Sequence, residues 1–570
     1  MANAVAARAP KRHRPPLNLL PEILAALWRR MMGPWRRFRR RNWFYRRLLK
    51  GKLPDHIAFH PYDALPRKLE NADALLKSRF RVGVETVEVK DASVFDETPP
   101  SRAWAEGLHS FNWLASLSSA GGEPARTLAT NLISQWVKRY ASYSEPAWLP
   151  HITARRLIHL FAHSRFVLSN SDMLWRSKLF VSLREQSRFL ARTAGEAPDG
   201  LPRFEAAAAH ALSGACLDDQ PKRLVTGLER LEAEIARQIL PDGGHVTRSP
   251  EALVHAYRHL VMVMDALTAL DHKVPASLRS AHDRIAPMLR FFRHGDGALA
   301  LFNGGGEGHP KMIAALLARD EVRGQPFLHA PHSGYQRMAA SRSFAVMDCG
   351  TAPRGTFSNA AHAGCLAFEF SAGNQRIIVN CGTGDGKWDG ALRATAAHST
   401  ITLADTSMAA ILSEGFARNL IGARLLGGPQ HIGTQRRETA HGWCVEAIHD
   451  GYLDEFGIVH ERRITMAPDG ATLTGADRLV PKRRLRQGVP YAVRFHIHPD
   501  VRVSPSQGGA VLLKLPGGEG WRFRASGEVA MEESIYLGGE AARRTDQLVI
   551  TGTVANEPAE IAWMFERINL

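Results

Sequence analysis

The spacing of apolar residues changes once along this chain, and that change constrains the fold more than any other feature. From about Trp104 to Leu317, apolar residues recur three and four positions apart in successive segments separated by Gly, Pro, Asn and Asp clusters. This spacing predicts serial amphipathic helices that bury one face against their neighbours. After about His329, short strand-like runs such as "RSFAVMDCG", "QRIIVNCG" and "QLVITGTV" are punctuated by turn residues,. The sequence therefore predicts a helical array followed by an antiparallel β-sandwich.

The length of 570 residues exceeds what a single hydrophobic core supports, so we expect several domains,. We predict a basic amphipathic arm at residues 1–52, a helical domain at 53–328 and a β-sandwich domain at 329–570. No apolar stretch reaches the roughly 20 residues that cross a bilayer. A secretion signal with a small-residue cleavage site is not evident either,.

Positive charge is concentrated at the N-terminus. Residues 1–52 hold 15 Lys and Arg residues against one acid, Glu22, so 14 of the 17 net positive charges lie in the arm. Aromatic and aliphatic residues alternate with these charges, which suits an anionic membrane surface, where each basic residue adds roughly 1 kcal/mol. An acidic polysaccharide, nucleic acid, or packing of the arm on the protein body are the alternatives, and nucleic acid is disfavoured because the rest of the chain is nearly neutral. Pro34 is expected to break or bend any helix in the arm.

Several common site chemistries find no support in the sequence. The five cysteines are odd in number and form no CxxC pair, so neither a disulfide framework nor a cysteine zinc site follows,. P-loop, dinucleotide-binding, HExxH and GxSxG signatures are absent from the sequence, which disfavours nucleotide, zincin and serine-hydrolase functions,.

Histidines and charged residues gather in two parts of the chain. His362 and His398 each precede a strand-like run, and they could be packing residues, metal ligands or two walls of a cleft. The segment "DGGHVTRSPEALVHAY" supplies a second group at the start of a predicted helix. Arg248 there could bind a substrate carboxylate with two hydrogen bonds or form an ordinary ion pair at the helix start.

These segments resemble those of the heparinase II/III-like family of polysaccharide lyases. "LEAEIARQILPDGGHVTRSPEAL" is similar to a segment of the family's helical half, and "HAGCLAFEFSAGNQRIIVNCGTGDG" and "LRATAAHSTITL" are similar to two segments of its β half. The resemblance covers roughly residues 100–570. It implies an α+β multidomain fold with an N-terminal (α/α) toroid of helical pairs, a C-terminal antiparallel β-sandwich, and substrate in the cleft between them.

The chemistry implied by the resemblance is β-elimination at a uronic acid. Such a site must neutralise the substrate carboxylate, remove the neighbouring proton and protonate the leaving oxygen. Several positions depart from the family pattern. The family's Tyr-His pair falls on Ala252 and Leu253, its first β-half histidine falls on Ala360, and the following Asp falls on Gly364.

The resemblance also implies a structural zinc site. Its ligands would be His362, Asn380 and His398, with Asn380 in place of the family's Asp. A neutral amide is a poorer zinc ligand than a carboxylate because it adds no charge against the dication. The alternative is that the two histidines form hydrogen bonds across strands, as buried imidazoles usually do.

Three functions remain open from the sequence. The first is a lyase that acts on an acidic, uronate-containing polysaccharide of the bacterial cell envelope. The second is a degenerate relative that binds such a polysaccharide and attaches to a membrane through its arm, and the third is RNA or DNA binding through the arm alone. The compartment would be the periplasm or a membrane surface, with the cytoplasmic face also open. The residues predicted to act in catalysis are His245, Arg248, His255, Tyr257, His362 and His398. Those predicted to contact substrate are Arg393 and Glu369.

Overall fold

A computed structural model describes residues 19–65, 69–83, 85–89, 93–169, 171–218, 220–320, 326–384, 388–539 and 541–568. Predictions about residues 1–18 of the basic arm therefore lie outside the described residues. The chain divides into two compact units. The helical unit comprises residues 27–239 and 255–283, and the sheet unit comprises the described residues of 19–26, 240–254 and 284–568.

Helices dominate the first half of the chain, as its apolar spacing predicts. The helices are α1 (Leu20–Arg41), α2 (Trp43–Leu48), α3 (Leu69–Leu76), α4 (Arg102–His109), α5 (Trp113–Ala120), α6 (Gly122–Arg139), α7 (Pro150–Ala162), α8 (Ser164–Leu168), α9 (Met173–Thr193), α10 (Leu201–Cys216), α11 (Lys222–Gln238), α12 (Pro250–Ala269), α13 (Ala276–Phe292), α14 (Pro310–Leu317), α15 (Asp389–Leu392), α16 (Gly415–Ile421) and α17 (Leu453–Phe456).

Close packing inside the helical unit depends on small residues. The Ala-rich helix α10 packs against α11, and a Cβ added at Gly227 would lie 2.6 Å from the Cα of Ala211. A Cβ added at Gly214 would lie 2.3 Å from the backbone nitrogen of Leu224. Both distances are below van der Waals contact, so these glycines allow the two backbones to approach each other.

The strands follow in the second half, apart from one early hairpin. They are β1 (Arg79–Val82), β2 (Glu85–Glu88), β3 (His329–Ala330), β4 (Tyr335–Ala340), β5 (Ser343–Asp348), β6 (Phe368–Ala372), β7 (Gln375–Val379), β8 (Ile401–Leu403), β9 (Ala409–Ile411), β10 (Leu425–Gly427), β11 (Ile432–Thr439), β12 (Gly442–His449), β13 (Ile458–Met466), β14 (Thr472–Pro481), β15 (Val489–Ile497), β16 (Arg502–Pro505), β17 (Val511–Lys514), β18 (Gly520–Ala525), β19 (Val529–Tyr536), β20 (Arg543–Val554) and β21 (Ala559–Ile568).

Two large antiparallel sheets and the two-stranded antiparallel sheet β9-β10 lie in the described sheet unit. One has the strand order β19-β20-β15-β7-β6-β5-β4-β3, with β8 also paired to β15, and the other has the order β11-β12-β13-β14-β21-β18-β17-β16. Aromatic rings from the two sheets meet in a shared core. Phe368 stacks on Trp563 with 5.4 Å between ring centroids, and Phe370 meets Trp521 edge to face at 5.2 Å. Strands such as β13 and β21 alternate between more and less buried residues, whereas the central strands β5 and β6 are buried at every position,.

The predicted fold class is confirmed: a helical N-terminal region precedes a C-terminal antiparallel sheet domain. The toroidal arrangement of the helical pairs and the division into domains at residues 52 and 328 stay predictions. Pro34 does not break the helix, because α1 continues through it, and the alternative prediction of a bend stays a prediction. Pro34 is exposed, so water can satisfy the carbonyl group that loses its helical partner there,. Within the described residues, no helix combines the length and apolar character needed to cross a membrane.

Candidate functional site

His362 and His398 meet in the sheet unit as a directly hydrogen-bonded pair. The Nδ1 atom of His398 lies 2.8 Å from the carbonyl oxygen of Ala394, so it carries the proton and donates it,. The Nε2 atom of His398 is then an acceptor for the Nδ1–H of His362, at 3.0 Å. This leaves the Nε2 atom of His362 unprotonated, buried, and without a hydrogen-bond partner among the described residues.

Burial sets the charge of this pair. It lowers the pKa of His398 to about 4 and the pKa of His362 well below its ordinary value, and the neighbouring imidazole and Arg393 lower the pKa of His362 further,. Both rings are therefore neutral near pH 7. A base of such low pKa removes protons poorly, because catalytic efficiency is greatest when the pKa lies near the working pH.

The amide of Asn380 is engaged by hydrogen bonds at both ends. Its Oδ1 accepts from the backbone N–H of Ser399 at 3.0 Å, and its Nδ2 donates to the carbonyl oxygen of Leu301 at 3.1 Å and to Oε1 of Glu369 at 3.2 Å. Asn380 thus connects its own segment with those of Ser399, Leu301 and Glu369. An ionised carboxylate could not make these three hydrogen bonds, because it has no donor.

The residues at this position do not fit the zinc ion that the resemblance implies. The two imidazoles satisfy each other, the amide oxygen is already an acceptor for Ser399, and the family's carboxylate is missing. Among the described residues, no third His, Cys, Asp or Glu places a ligand atom beside His362 and His398. The alternative prediction, a hydrogen bond between the two histidines, agrees with the structure.

Gly364 explains how the histidine ring is accommodated. A Cβ at this position would lie only 2.7 Å from Cδ2 of His398, so the ring occupies the space that a side chain would need,. The family's Asp at this position is therefore incompatible with the His398 conformation in this chain. The absence of a side chain at Gly364 thus allows the His398 ring to reach His362.

Glu369 and Arg393, the residues predicted to contact substrate, are buried in internal networks. Oε2 of Glu369 lies 2.9 Å from Nε2 of His294, and Oε1 also accepts the backbone N–H of Asn380 at 2.9 Å. Arg393 donates to the carbonyl oxygens of Ala361, Ser358 and Ala423, at 2.9, 3.2 and 2.7 Å. Arg393 therefore holds the loop that carries His362, and its role toward a substrate stays a prediction.

Arg248 is likewise surrounded by acceptors of the protein itself. Its Nε donates to the carbonyl oxygen of Ser333 at 2.7 Å, and its Nη1 to those of Gly350 and Thr351 at 3.0 and 3.1 Å. Its Nη2 donates to the carbonyl oxygen of Gly334 and to the carboxylate of Asp348. These five bonds use all five N–H groups of a guanidinium, so binding a substrate carboxylate would require several of them to break.

The remaining predicted catalytic residues fall in different places. His245 is buried in the turn before α12, where its Nδ1 lies 2.6 Å from Oγ1 of Thr247 and burial lowers its pKa to about 4. His255 and Tyr257 belong to the helical unit. Burial also lowers the pKa of His255 to about 4, and the Tyr257 ring packs against His282 with 5.3 Å between centroids. Their catalytic roles stay predictions.

The residues that hydrogen-bond to the backbone at His362 were missed by the sequence analysis. Oδ1 of Asn303 accepts the backbone N–H of His362 at 3.2 Å, and Nδ2 of Asn303 donates to the hydroxyl of Tyr335 at 2.9 Å. That hydroxyl donates to the backbone carbonyl of Arg248 at 2.7 Å. The glycine-rich run "NGGGEG" that starts at Asn303 was the available signal. His362, Arg248 and Asp348 also line a cavity of about 10 Å³, which has room for a single water,.

Comparison with known proteins places these features in a family. Residues 322–564 match the family described as "Heparinase II/III-like, C-terminal". The chain is also 32% identical over 547 residues to "FtsZ-localized protein C" of Caulobacter vibrioides, covering 92% of this chain and 93% of that protein.

Solved structures with similar folds include polysaccharide lyases. The structure of heparinase III matches with a TM-score of 0.70 at 15% identity, covering 92% of this chain and 88% of that chain. A mutant of heparan sulfate lyase HepC from Pedobacter heparinus matches with a TM-score of 0.61 at 16% identity, with the same coverage. At such identities the likeness shows the fold alone.

Proposed function

We propose that this chain, which belongs to the heparinase II/III-like family, has no lyase activity and works by binding at an anionic membrane surface. The proposal has two parts. The first is that the chemistry of β-elimination has been lost, and the second is that helix α1 attaches the protein to the membrane. The observation that carries the proposal is the exposed apolar face of α1.

Loss of the lyase chemistry is supported by the residues at the family's catalytic positions. Ala252 and Leu253, which replace the Tyr-His pair, carry no exchangeable proton, and Ala360 replaces a histidine. The histidines that remain are buried, neutral and hydrogen-bonded to each other. A β-elimination site needs an accessible base, an acid and a cation for the substrate carboxylate. The predicted catalytic residues of the described sheet unit are all buried: His245, Arg248, His362 and His398.

An exposed apolar stripe runs along α1. At about 100° per residue, its five large apolar side chains fall within an arc of about 80° on one side of the helix. Each of them is between 52% and 71% exposed. They are Leu24, Trp28, Met31, Trp35 and Phe38. Large side chains left in water along one helix face mark an interaction surface, and tryptophans prefer the boundary between lipid and water.

The opposite side of α1 is fixed to the protein. The guanidinium of Arg40 is buried, donates to both carboxylate oxygens of Glu196 at 2.6 Å, and lies over the ring of Tyr143 at 5.5 Å. At the start of the helix, Ala26 packs with Leu412 and Ile421. These contacts hold the helix on the protein surface with its apolar stripe outward, the orientation that an amphipathic helix needs to lie in a membrane interface.

The relative from Caulobacter vibrioides supports a location for this function. Its name states that it is localized with FtsZ, and the match extends over nearly the whole of both chains. We extend that location to this chain, so that α1 would hold the protein at a membrane surface near FtsZ. A test is co-sedimentation of the purified chain with FtsZ polymers, in which recovery in the supernatant alone would contradict the extension.

The loss of lyase activity is tested by the ultraviolet absorbance of unsaturated uronates. The purified chain is incubated with a panel of acidic polysaccharides, with an active heparinase as the positive control. We expect no increase in absorbance. An increase that disappears in the His362→Ala/His398→Ala variant would contradict the proposal and establish a lyase.

Membrane attachment is tested by flotation with lipid vesicles. We expect the chain to float with vesicles that contain an anionic lipid, and the Trp35→Glu/Phe38→Glu variant to stay at the bottom of the gradient. Met173→Glu is the matched control, because Met173 is exposed in the same unit but lies on α9. Equal flotation of all three proteins would contradict attachment through α1.

A further inference from the structure

We propose that the helical unit contains a binding site for one divalent transition-metal ion such as Zn²⁺, with Asp63, His159 and His163 as its protein ligands. These residues are separate from the position where the family resemblance implies zinc. The site would be independent of both membrane attachment and lyase chemistry.

The three side chains already converge. One ligand atom from each of Asp63, His159 and His163 lies within 4.8 Å of the other two. The two histidines are four residues apart at the end of α7, and their rings are parallel within 11° with centroids 6.2 Å apart. Asp63 approaches them from the segment between α2 and α3. Two histidines and a carboxylate form a common set of zinc ligands, and a water completes the tetrahedron.

The orientation of His159 leaves a lone pair directed toward the carboxylate. Its Nε2 lies 3.2 Å from Oδ1 of Asn112, so this nitrogen carries the proton and donates it. Its Nδ1 is then unprotonated, buried, and without a hydrogen-bond partner among the described residues. That atom lies 3.8 Å from Oδ2 of Asp63, another acceptor. Two acceptors at this distance repel each other unless a proton or a cation lies between them.

The other nitrogen of His159 is held as it would be at a metal site. In metal-bound histidines the second ring nitrogen donates its proton to an oxygen acceptor, which fixes the orientation of the ring. The hydrogen bond from Nε2 of His159 to Oδ1 of Asn112 does this here, and it leaves Nδ1 facing Asp63.

Arg258 fixes the carboxylate and also limits the affinity. Its Nε and Nη2 lie 2.7 and 2.9 Å from Oδ1 and Oδ2 of Asp63. These two hydrogen bonds hold the carboxylate in one orientation. A carboxylate has about four acceptor positions, so Oδ2 keeps one for a metal. Because Arg258 is positively charged, we expect weaker binding than at a site with an unpaired carboxylate.

The experiment uses the full-length chain after removal of metals with a chelator. Co²⁺ is titrated into the protein and its visible absorption is followed, and Zn²⁺ is then added to displace it. We expect saturation at one equivalent of Co²⁺ per chain and bleaching by Zn²⁺. The Asp63→Asn and His163→Gln variants should bind about 10- to 100-fold more weakly, as expected for the loss of one ligand or its support.

His151→Gln is the matched control. His151 lies on the same helix, is buried, and has its Nε2 3.6 Å from a carboxylate oxygen of Glu106, but it is not part of the cluster. This variant should titrate like the unmodified chain. Asp63→Asn also weakens the pairing with Arg258, so thermal unfolding is measured for every variant with and without Zn²⁺. Zn²⁺ should raise the melting temperature of the unmodified chain and of His151→Gln alone.

Two results would overturn the proposal. One is a Co²⁺ titration of the unmodified chain without saturable absorption. The other is an unchanged titration in His163→Gln, a half-buried position whose replacement leaves the Asp63–Arg258 pair in place. Either result would assign the converging side chains to a structural role only.

Discussion

At the scale of single residues, the amide at position 380 can do what a carboxylate cannot. Asn380 accepts a hydrogen bond from Ser399 and donates to the carbonyl oxygen of Leu301 and to Glu369. An aspartate there would lose both donations and place a second negative charge beside a fully buried carboxylate. The change from Asp to Asn therefore alters the local network as well as removing a metal ligand.

We therefore predict that Asn380→Asp lowers the free energy of unfolding by about 2–4 kcal/mol at pH 7.5, because two hydrogen bonds are lost and a second negative charge is buried. The two adjacent carboxyl groups would share a proton, which raises a carboxyl pKa in the folded state above its unfolded value. More protons are then bound in the folded state, so the loss of stability should shrink as the pH falls toward 5. Urea unfolding at both pH values measures this. Asn374→Asp, on the exposed β6–β7 turn, is the control, and an equal effect in both variants would contradict the explanation.

A second buried network surrounds Asp477. Its carboxylate accepts hydrogen bonds from Nε2–H of His460 at 2.7 Å, from Nε and Nη2 of Arg462 at 2.7 and 2.9 Å, and from the indole N–H of Trp563 at 2.9 Å. Burial raises the pKa of this carboxyl, but Arg462 and His460 outweigh burial, so its pKa lies well below the ordinary range,.

We therefore predict a cost of about 3–5 kcal/mol for Asp477→Asn, because the variant leaves the buried charge of Arg462 unpaired. Because the folded-state pKa of Asp477 is depressed, its contribution is complete above the unfolded value of about 4 and is lost as the pH falls through the folded-state pKa. The stability of the unmodified chain should thus fall with acid more steeply than that of the variant. Urea unfolding between pH 3 and pH 7 is the measurement, and Asp546→Asn, at an exposed strand position, should have little effect at any pH.

At the scale of helices and strands, two glycines inside helices have different surroundings. Gly227 lies where α11 meets α10, and an added Cβ would clash with the backbone of Ala211. Gly33 lies inside α1 just before Pro34, and apart from its chain neighbours and the helix's own backbone an added Cβ would meet no described heavy atom within 4 Å. Helix propensity alone favours alanine at both positions by about 1 kcal/mol.

Packing predicts different results for the two alanine variants. Gly227→Ala should lower the free energy of unfolding by about 1–3 kcal/mol, because the helix backbones must separate. Gly33→Ala should change it by less than about 1 kcal/mol, because the gain in helix propensity is offset by contact between the new Cβ and the ring of Pro34. Thermal and urea unfolding of the two variants, compared side by side, measures the difference. A similar effect of both changes would show that propensity rather than packing controls the α10–α11 contact.

The sequence predicted the elements better than it predicted their partners. Apolar spacing was sufficient for the helices and strands because each element's own residues determine which face is buried. The partner of Arg248 is Asp348, 100 positions along the chain, and no local pattern indicates that they pair. The motif resemblance found His362 and His398, but only the packed structure shows that Gly364 makes room for the His398 ring.

At the scale of the whole molecule, net positive charge and an exposed apolar stripe occur in the same N-terminal segment. The first 52 residues carry 14 of the 17 net positive charges, whereas the remaining 518 residues are nearly neutral. Within the described part of this segment, exposed arginines flank the apolar stripe of α1. A membrane interaction of this design combines insertion of the stripe with attraction to anionic lipid, and the two contributions respond differently to salt.

The exposed arginines of α1 should contribute to membrane binding separately from its apolar stripe. Replacing the exposed Arg30 and Arg41 with alanine should weaken binding to anionic vesicles about 10- to 30-fold, at roughly 1 kcal/mol per arginine. High salt should reduce the difference between this variant and the unmodified chain, because it screens the charges but leaves the apolar stripe of α1 in place.

Arg79→Ala, an exposed change on β1 of the same unit, is the control. Vesicle sedimentation at low and high salt measures the affinities. Equal binding to neutral and anionic vesicles would show that the arginines do not contribute and that insertion of the apolar stripe alone holds the protein at the membrane.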